Sequence, residues 1–182
     1  AFGAHTGIGT LPILLYGDKQ QRERYLPKLA TGEWMGCYCL TEPGAGSDAN
    51  SGKTKAVLTK DEKKYLLTGQ KMWISNAGFA DVFIVFARIE DDKNITCFIV
   101  EKKMEGITLG EEEHKLGLNS SSTRQVFFNE VKVPIESLLG GRGNGFKIAM
   151  NTLNIGRIKL SAAILDACRR AINLSTSYSN ER

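Results

Sequence analysis

The hydrophobic positions along this 182-residue chain change period twice. Residues 1–35 read as mainly helical. Within them Tyr25, Leu26 and Leu29 fall on one face of segment 21–29, Gly17-Asp18 supplies a cap, and Thr31-Gly32-Glu33 a stop. Pro27 sits inside that segment, where its missing N–H and its ring predict a bend or a break. From Gly36 the period drops to two. Segments 37–40, 54–59, 65–68, 71–75, 82–89, 96–101 and 124–133 are short, rich in β-branched and aromatic residues, and separated by Gly, Asn and Asp. Regularly spaced strands of this kind predict a sandwich or barrel. Asp61-Glu62 and Asp91-Asp92-Lys93-Asn94 fit hairpin loops. After Gly145 the three- and four-residue step returns through Phe146, Met150, Leu153, Arg157, Leu160, Ile164 and Ala171. Gly156 interrupts that stripe, where a glycine costs about 1 kcal/mol relative to Ala.

The expected organisation is therefore an α+β chain: the end of one helical region (1–35), a complete, mostly antiparallel β-barrel or orthogonal β-sandwich domain (36–139), and a linker leading into a second helical region (140–182). Both ends read as cut, so a piece of a longer protein is expected. Nothing alternates strand with helix as a dinucleotide-binding parallel sheet would. Gly140-Gly-Arg-Gly-Asn-Gly145 lacks the flanking strand and helix of a phosphate loop and reads as a linker.

Composition narrows the function classes. A net charge of +4 with no basic run interleaved with aromatics argues against nucleic-acid binding. No segment has the run of roughly 20 apolar residues that a membrane span requires. The two histidines and four cysteines show no metal-ligand spacing. The thiols suit a reducing compartment, and Cys37-x-Cys39 reads as two small strand residues, one on each face.

Two runs can carry chemistry. In Thr41-Glu-Pro-Gly-Ala-Gly-Ser-Asp48, Pro43 fixes one dihedral, Gly44 and Gly46 permit positive φ, and exposed amides could form an anion nest beside the Thr41 and Ser47 hydroxyls. Alone, the run also fits a plain turn. In Trp73-Ile-Ser-Asn76, the Trp fits a core position. It also fits a face shared with Ser75, where a ring and a hydroxyl would meet a flat heteroaromatic system.

Together these runs resemble the acyl-CoA dehydrogenase family. The likeness extends through Gly69-Gln-Lys-Met-Trp-Ile-Ser-Asn76, Gly78-Phe-Ala-Asp81, Val131-Lys-Val-Pro134, Gly145-Phe-Lys-Ile-Ala-Met150 and Leu153-Asn-Ile-Gly-Arg157, in order along the chain. The resemblance implies a flavoenzyme that desaturates acyl-CoA thioesters between the α and β carbons, with FAD as cofactor and electron-transfer flavoprotein as acceptor. Carried over by position, FAD would be lined by Tyr38, Cys39, Leu40, Thr41, Gly46 and Ser47, and by Trp73, Ile74 and Ser75. Thr41 would lie on the pyrimidine side and the Ser75 hydroxyl near N5. Ser47, Leu153, Asn154 and Arg157 match positions near the acyl-CoA substrate, although the family often has Asp where Asn154 stands. A minority of the family carries its catalytic glutamate immediately before the matching arginine. Here that position is Gly156, so the base is expected in a segment following Arg182, with no catalytic residue inside the chain.

The resemblance further implies a homotetramer, a bacterial cytoplasmic or mitochondrial matrix location, and weak or absent FAD binding by the isolated piece. Acyl-CoA oxidase and a non-catalytic scaffold are the alternative readings. Oxygen consumption would mark the first, and absence of the downstream glutamate the second.

Overall fold

The computed structural model describes residues 1–182. A π-helical turn, Ala4–Gly9, leads into α1 (Leu11–Tyr16) and α2 (Lys19–Thr31). Asp18 caps α2 through a complete capping box with Gln21, and Gly32, at φ 77°, ends it in the left-handed conformation. The expected break at Pro27 does not occur. Both ends of α2 are capped, and buried Tyr25 and Leu29 hold it onto the sheet on either side of the proline.

Eight strands follow: β1 (Gly36–Cys39), β2 (Lys55–Leu58), β3 (Lys64–Ser75), β4 (Val82–Ile89), β5 (Thr96–Glu101), β6 (Ile107–Glu112), β7 (Thr123–Pro134) and β8 (Leu138–Leu139). The hydrogen-bonded order is β6-β7-β3-β2-β4-β5-β8, with β1 also on β4, and the path does not close into a ring. Most pairings are antiparallel; β1 and β2 pair with β4 in parallel. A single helix, α3 (Gly145–Asn180), ends the chain, and Gly156 lies within it without interrupting it.

Side-chain parity along β4 and β5 explains how the layers stack. Phe83, Val85, Ala87 and Ile89, with Phe98 and Val100, enter a core shared with β2, β3 and β7. The alternate residues Val82, Ile84 and Phe86, with Cys97 and Ile99, pack against Ile13, Tyr25, Leu29 and Ile148 from the helices. Both faces of β4 and β5 are covered, so these strands are nearly continuously apolar, whereas β3 and β7 keep polar residues on one face. Cys37 and Cys39 sit in the same core, their Sγ atoms 3.9 Å apart. The expectation of one cysteine per face was wrong, because residues two apart share a face.

The π-helical turn is locked to β1 by backbone contact. A Cβ on Gly9 would lie 2.7 Å from the carbonyl carbon of Gly36. Buried His5 bridges the same junction: its Nε2–H donates to the Leu29 carbonyl, and the Gly36 N–H donates to its Nδ1, both at 3.0 Å. The glycine-rich segment before α3 is a turn fastened to the β4–β5 hairpin. Arg142 makes a bidentate pair with Asp92, and the Gly143 N–H donates to Thr96 Oγ1.

Candidate functional site

A cavity of about 350 Å³ opens where β1 and its following loop, the end of β3, the π-helical turn and α3 converge. Its size lies within the range of small-molecule sites. From β1 and the loop come Tyr38, Leu40, Thr41, Gly46 and Ser47; from β3 come Trp73, Ile74 and Ser75; from α3 come Leu153 and Arg157. Two residues named from the sequence stand off this wall. The Cys39 side chain is fully buried in the core between the sheet layers. Asn154 lies beside the cavity and accepts a hydrogen bond from Arg157 Nη1 at 2.6 Å.

Sequence reasoning missed Ala4, Ile8, Ala49 and Met150, which also line it. The signal for Met150 was present, since 150, 153 and 157 follow helical spacing. Ala4 and Ile8 are four apart in a π-helical turn that no residue pattern announces.

A β-bulge makes the β3 wall. Lys71 pairs with Val126 and Ile74 with Arg124, so β3 carries one extra residue over this stretch. Trp73 takes φ 61° there, unusual for a bulky side chain, and its surface is 55 % exposed. Three consecutive residues, Trp73, Ile74 and Ser75, consequently reach one cavity, which a regular strand could not arrange.

The loop wall works differently from the expectation. Neither Gly44 nor Gly46 adopts the positive φ expected of the loop. Instead, the turn through Pro43-Gly44 is closed by paired backbone hydrogen bonds between Glu42 and Ala45, both 3.1 Å. A Cβ on Gly46 would meet no protein atom within 4 Å, so the space this glycine leaves open belongs to the cavity.

The polar groups at the site divide into committed and uncommitted. The Tyr38 hydroxyl donates to the Ala149 carbonyl at 3.3 Å, and burial pushes its pKa well above the usual tyrosine range. Tyr38 therefore fastens α3 to β1. No protein partner engages the Thr41, Ser47 and Ser75 hydroxyls, all on the cavity wall.

Behind the wall, Lys71 Nζ donates to Glu42 Oε1 at 2.6 Å and to the Leu40 carbonyl at 3.1 Å. Lys71 is 1 % exposed and Glu42 7 %. Burial raises the Glu42 carboxyl pKa, but the ammonium and hydrogen bonds from Lys71, Thr54 and Lys53 outweigh it and leave the group below its usual range. For Lys71 burial dominates and lowers the pKa, with Glu42 opposing. Taken singly, the lysine's direction favours the neutral amine and the glutamate's favours the carboxylate. The converging donors on Glu42 decide for an ionised pair.

These residues suit a flat heterocycle with polar edges: hydroxyls without partners, an exposed indole and an opening maintained by glycine, with apolar and cationic residues of α3 alongside.

Comparison with known proteins identifies the family. Family models for the acyl-CoA dehydrogenase N-terminal, middle and C-terminal domains match residues 1–33, 37–131 and 143–182. A probable acyl-CoA dehydrogenase of Bacillus subtilis is 50 % identical over the whole chain, which covers 30 % of that protein. The human very long-chain specific mitochondrial acyl-CoA dehydrogenase is 47 % identical over 99 % of the chain, covering 29 % of its own length. The crystal structure of an acyl-CoA dehydrogenase complexed with FAD from Bacillus anthracis superposes with a TM-score of 0.92 at 49 % identity, over 99 % of this chain and 31 % of that one. The chain thus spans under a third of the length of these relatives. With the middle-domain model alone matching more than half of its residues, this chain belongs to the acyl-CoA dehydrogenase family.

Proposed function

We propose that the protein to which this chain belongs is an FAD-dependent acyl-CoA dehydrogenase that desaturates acyl-CoA thioesters between the α and β carbons, and that the cavity described above receives the flavin ring. The observation that carries this reading is the convergence of uncommitted Thr41 and Ser75 hydroxyls with exposed Trp73 on a single wall. FAD, when bound, supplies the redox chemistry by accepting a hydride. The chain's own residues bind and orient. Thr41 and Ser75 would hydrogen-bond to polar ring atoms, and Trp73 would cover the ring from water.

The acyl-CoA thioester would enter from the α3 side, past Ser47, Leu153 and Arg157. Ala4, Ile8 and Met150 give that side an apolar lining for an acyl chain. Asn154 would act on substrate through Arg157, which it holds. Cys39 would serve as packing beneath the flavin wall.

Removal of the α-proton requires a base, and no carboxylate lines the cavity. Gly156 offers none, and the Glu42 carboxylate is turned onto Lys71. The base is therefore assigned to a glutamate of the full-length protein outside residues 1–182. In the same reading, residues 36–139 form the flavin-binding domain between helical regions 1–35 and 140–182, and an electron-transfer flavoprotein receives the electrons.

The test uses the full-length protein. It should purify yellow and convert a saturated acyl-CoA to its trans-2-enoyl product with an artificial electron acceptor, without matching oxygen consumption. A colourless protein that stays inactive after FAD reconstitution would remove the proposal. Stoichiometric oxygen consumption would convert it to an oxidase.

A further inference from the structure

The buried pair Lys71–Glu42 does more than neutralise itself. Lys71 bonds to the residues on both sides of Thr41, through the Leu40 carbonyl and the Glu42 carboxylate. The next β3 residue completes the grip, since the Met72 N–H donates to the Thr41 carbonyl at 2.9 Å. Three consecutive positions, 40, 41 and 42, are thereby fixed to positions 71 and 72, at the start of the bulge that presents Trp73 and Ser75. Glu42 ties down the far end of the loop as well, accepting from the Lys53 N–H at 2.6 Å and the Thr54 N–H at 3.1 Å. A Cβ on Gly52 would come within 2.9 Å of Glu42 Oε1, so the glycine there leaves room for the carboxylate.

A buried ion pair adds little net stability over a well-packed apolar pair of the same volume. What an apolar pair lacks is direction. Hydrogen bonds from an ammonium to one carbonyl and one carboxylate fix where a loop backbone sits, which packing alone does not.

We propose that Lys71 is a positioning residue for the flavin site: it clamps the loop onto β3 so that the Thr41 and Ser75 hydroxyls stand as one rigid platform. The proposal rests on the reading of the cavity as a flavin site. Lys71 itself does not line the cavity and acts only through the loop.

The experiment compares the full-length protein with its Lys71→Met, Glu42→Gln and Lys71→Met/Glu42→Gln variants. FAD titration, the absorption spectrum of bound flavin, thermal midpoint and amide hydrogen exchange in the FAD-free form are measured for each. Lys71→Met should weaken FAD binding by about tenfold or more, shift the spectrum of the flavin still bound, and speed exchange at Met72. The double variant removes the stranded carboxylate and should recover thermal midpoint, while FAD binding stays weak and Met72 exchange fast. Should Lys71→Met fail to fold, Glu42→Gln supplies the same readouts, because it keeps a side chain that accepts from Lys53 and Thr54.

Wild-type FAD affinity and spectrum in Lys71→Met, with only the midpoint lowered, would overturn the proposal. So would a double variant that regains FAD binding together with stability. If the wild-type protein binds no FAD, the flavin reading falls, and exchange at Met72 still decides the clamp: unchanged exchange refutes it.

Discussion

The loop 40–47 and the end of β3 have two sides that treat polar groups in opposite ways. Behind the wall, Lys71 and Glu42 are buried and their charges are met by each other and by backbone groups. In front, Thr41, Ser47 and Ser75 keep their hydroxyls free and Trp73 stands exposed in a strained conformation. The same short segments supply both sides. A site that must hold its groups ready for a ligand needs a backing that does not move, and here the backing uses up its own hydrogen-bonding capacity internally. Mutations at the front should accordingly weaken binding without a matching loss of stability, whereas mutations behind the wall should change both.

The largest expected effect lies behind the wall. Lys71→Met strands the Glu42 carboxylate and should lower unfolding free energy by about 3–5 kcal/mol, as removing one partner of a buried pair does; urea denaturation measures it. A loss below about 1 kcal/mol would mean that water reaches the pair and that the two sides are not so different.

Trp73→Gly probes the front and should move stability in the opposite direction. Relief of the left-handed conformation should raise stability by about 1 kcal/mol, while FAD affinity falls with loss of the ring. Thermal unfolding and flavin titration on one preparation check both. Loss of stability on this substitution would show that the indole is a packing residue after all.

Smaller still, Thr41→Ala and Ser75→Ala should change stability by no more than about 0.5 kcal/mol. Each should weaken FAD binding by about 0.5–1.5 kcal/mol, the worth of one hydrogen bond. Equal affinity in both variants and wild type would remove these hydroxyls from the site.

The smallest effect is on acid stability. Glu42 has a folded-state pKa below its unfolded value, so its contribution is fully present above about pH 4.3. It is lost as pH falls through the lower folded value. Stability of the wild type should therefore fall more steeply on acidification than that of Glu42→Gln, in denaturant titrations across that range. Parallel curves would place the titrating group elsewhere.

Much of this contrast could not be read from the sequence. By strict alternation Lys71, Trp73 and Ser75 share a face, which would make the lysine a surface residue beside the indole. One inserted residue between 71 and 74 sends the ammonium inward and the indole outward, and no residue type marks that insertion. Glu42 gives no sign of its partner, because the ion pair closes only when β3 returns beside the loop.

The strands β4 and β5 were legible from their β-branched and aromatic residues, although both of their faces are covered. β6 was not: Ile-Thr-Leu-Gly-Glu-Glu is polar enough to pass for loop, and it becomes a strand by pairing with the edge of β7. Segments 65–68 and 71–75 read as two strands, with Gly69 between them. It lies instead in a continuous β3, at φ 155°, packed against Thr54. Apart from Ala4, Ile8, Ala49 and Met150, the residues lining the cavity were named through family motifs, and the reason for their placement became visible only with the bulge and the buried pair.

The most direct test of the central claim is a crystal structure of the full-length protein with FAD bound. The flavin ring should lie against the Trp73–Ser75 wall with both Thr41 Oγ1 and Ser75 Oγ within hydrogen-bonding distance of it, about 3 Å, and the Lys71–Glu42 pair intact behind them. A flavin ring bound elsewhere, with these hydroxyls facing only solvent, would contradict the account.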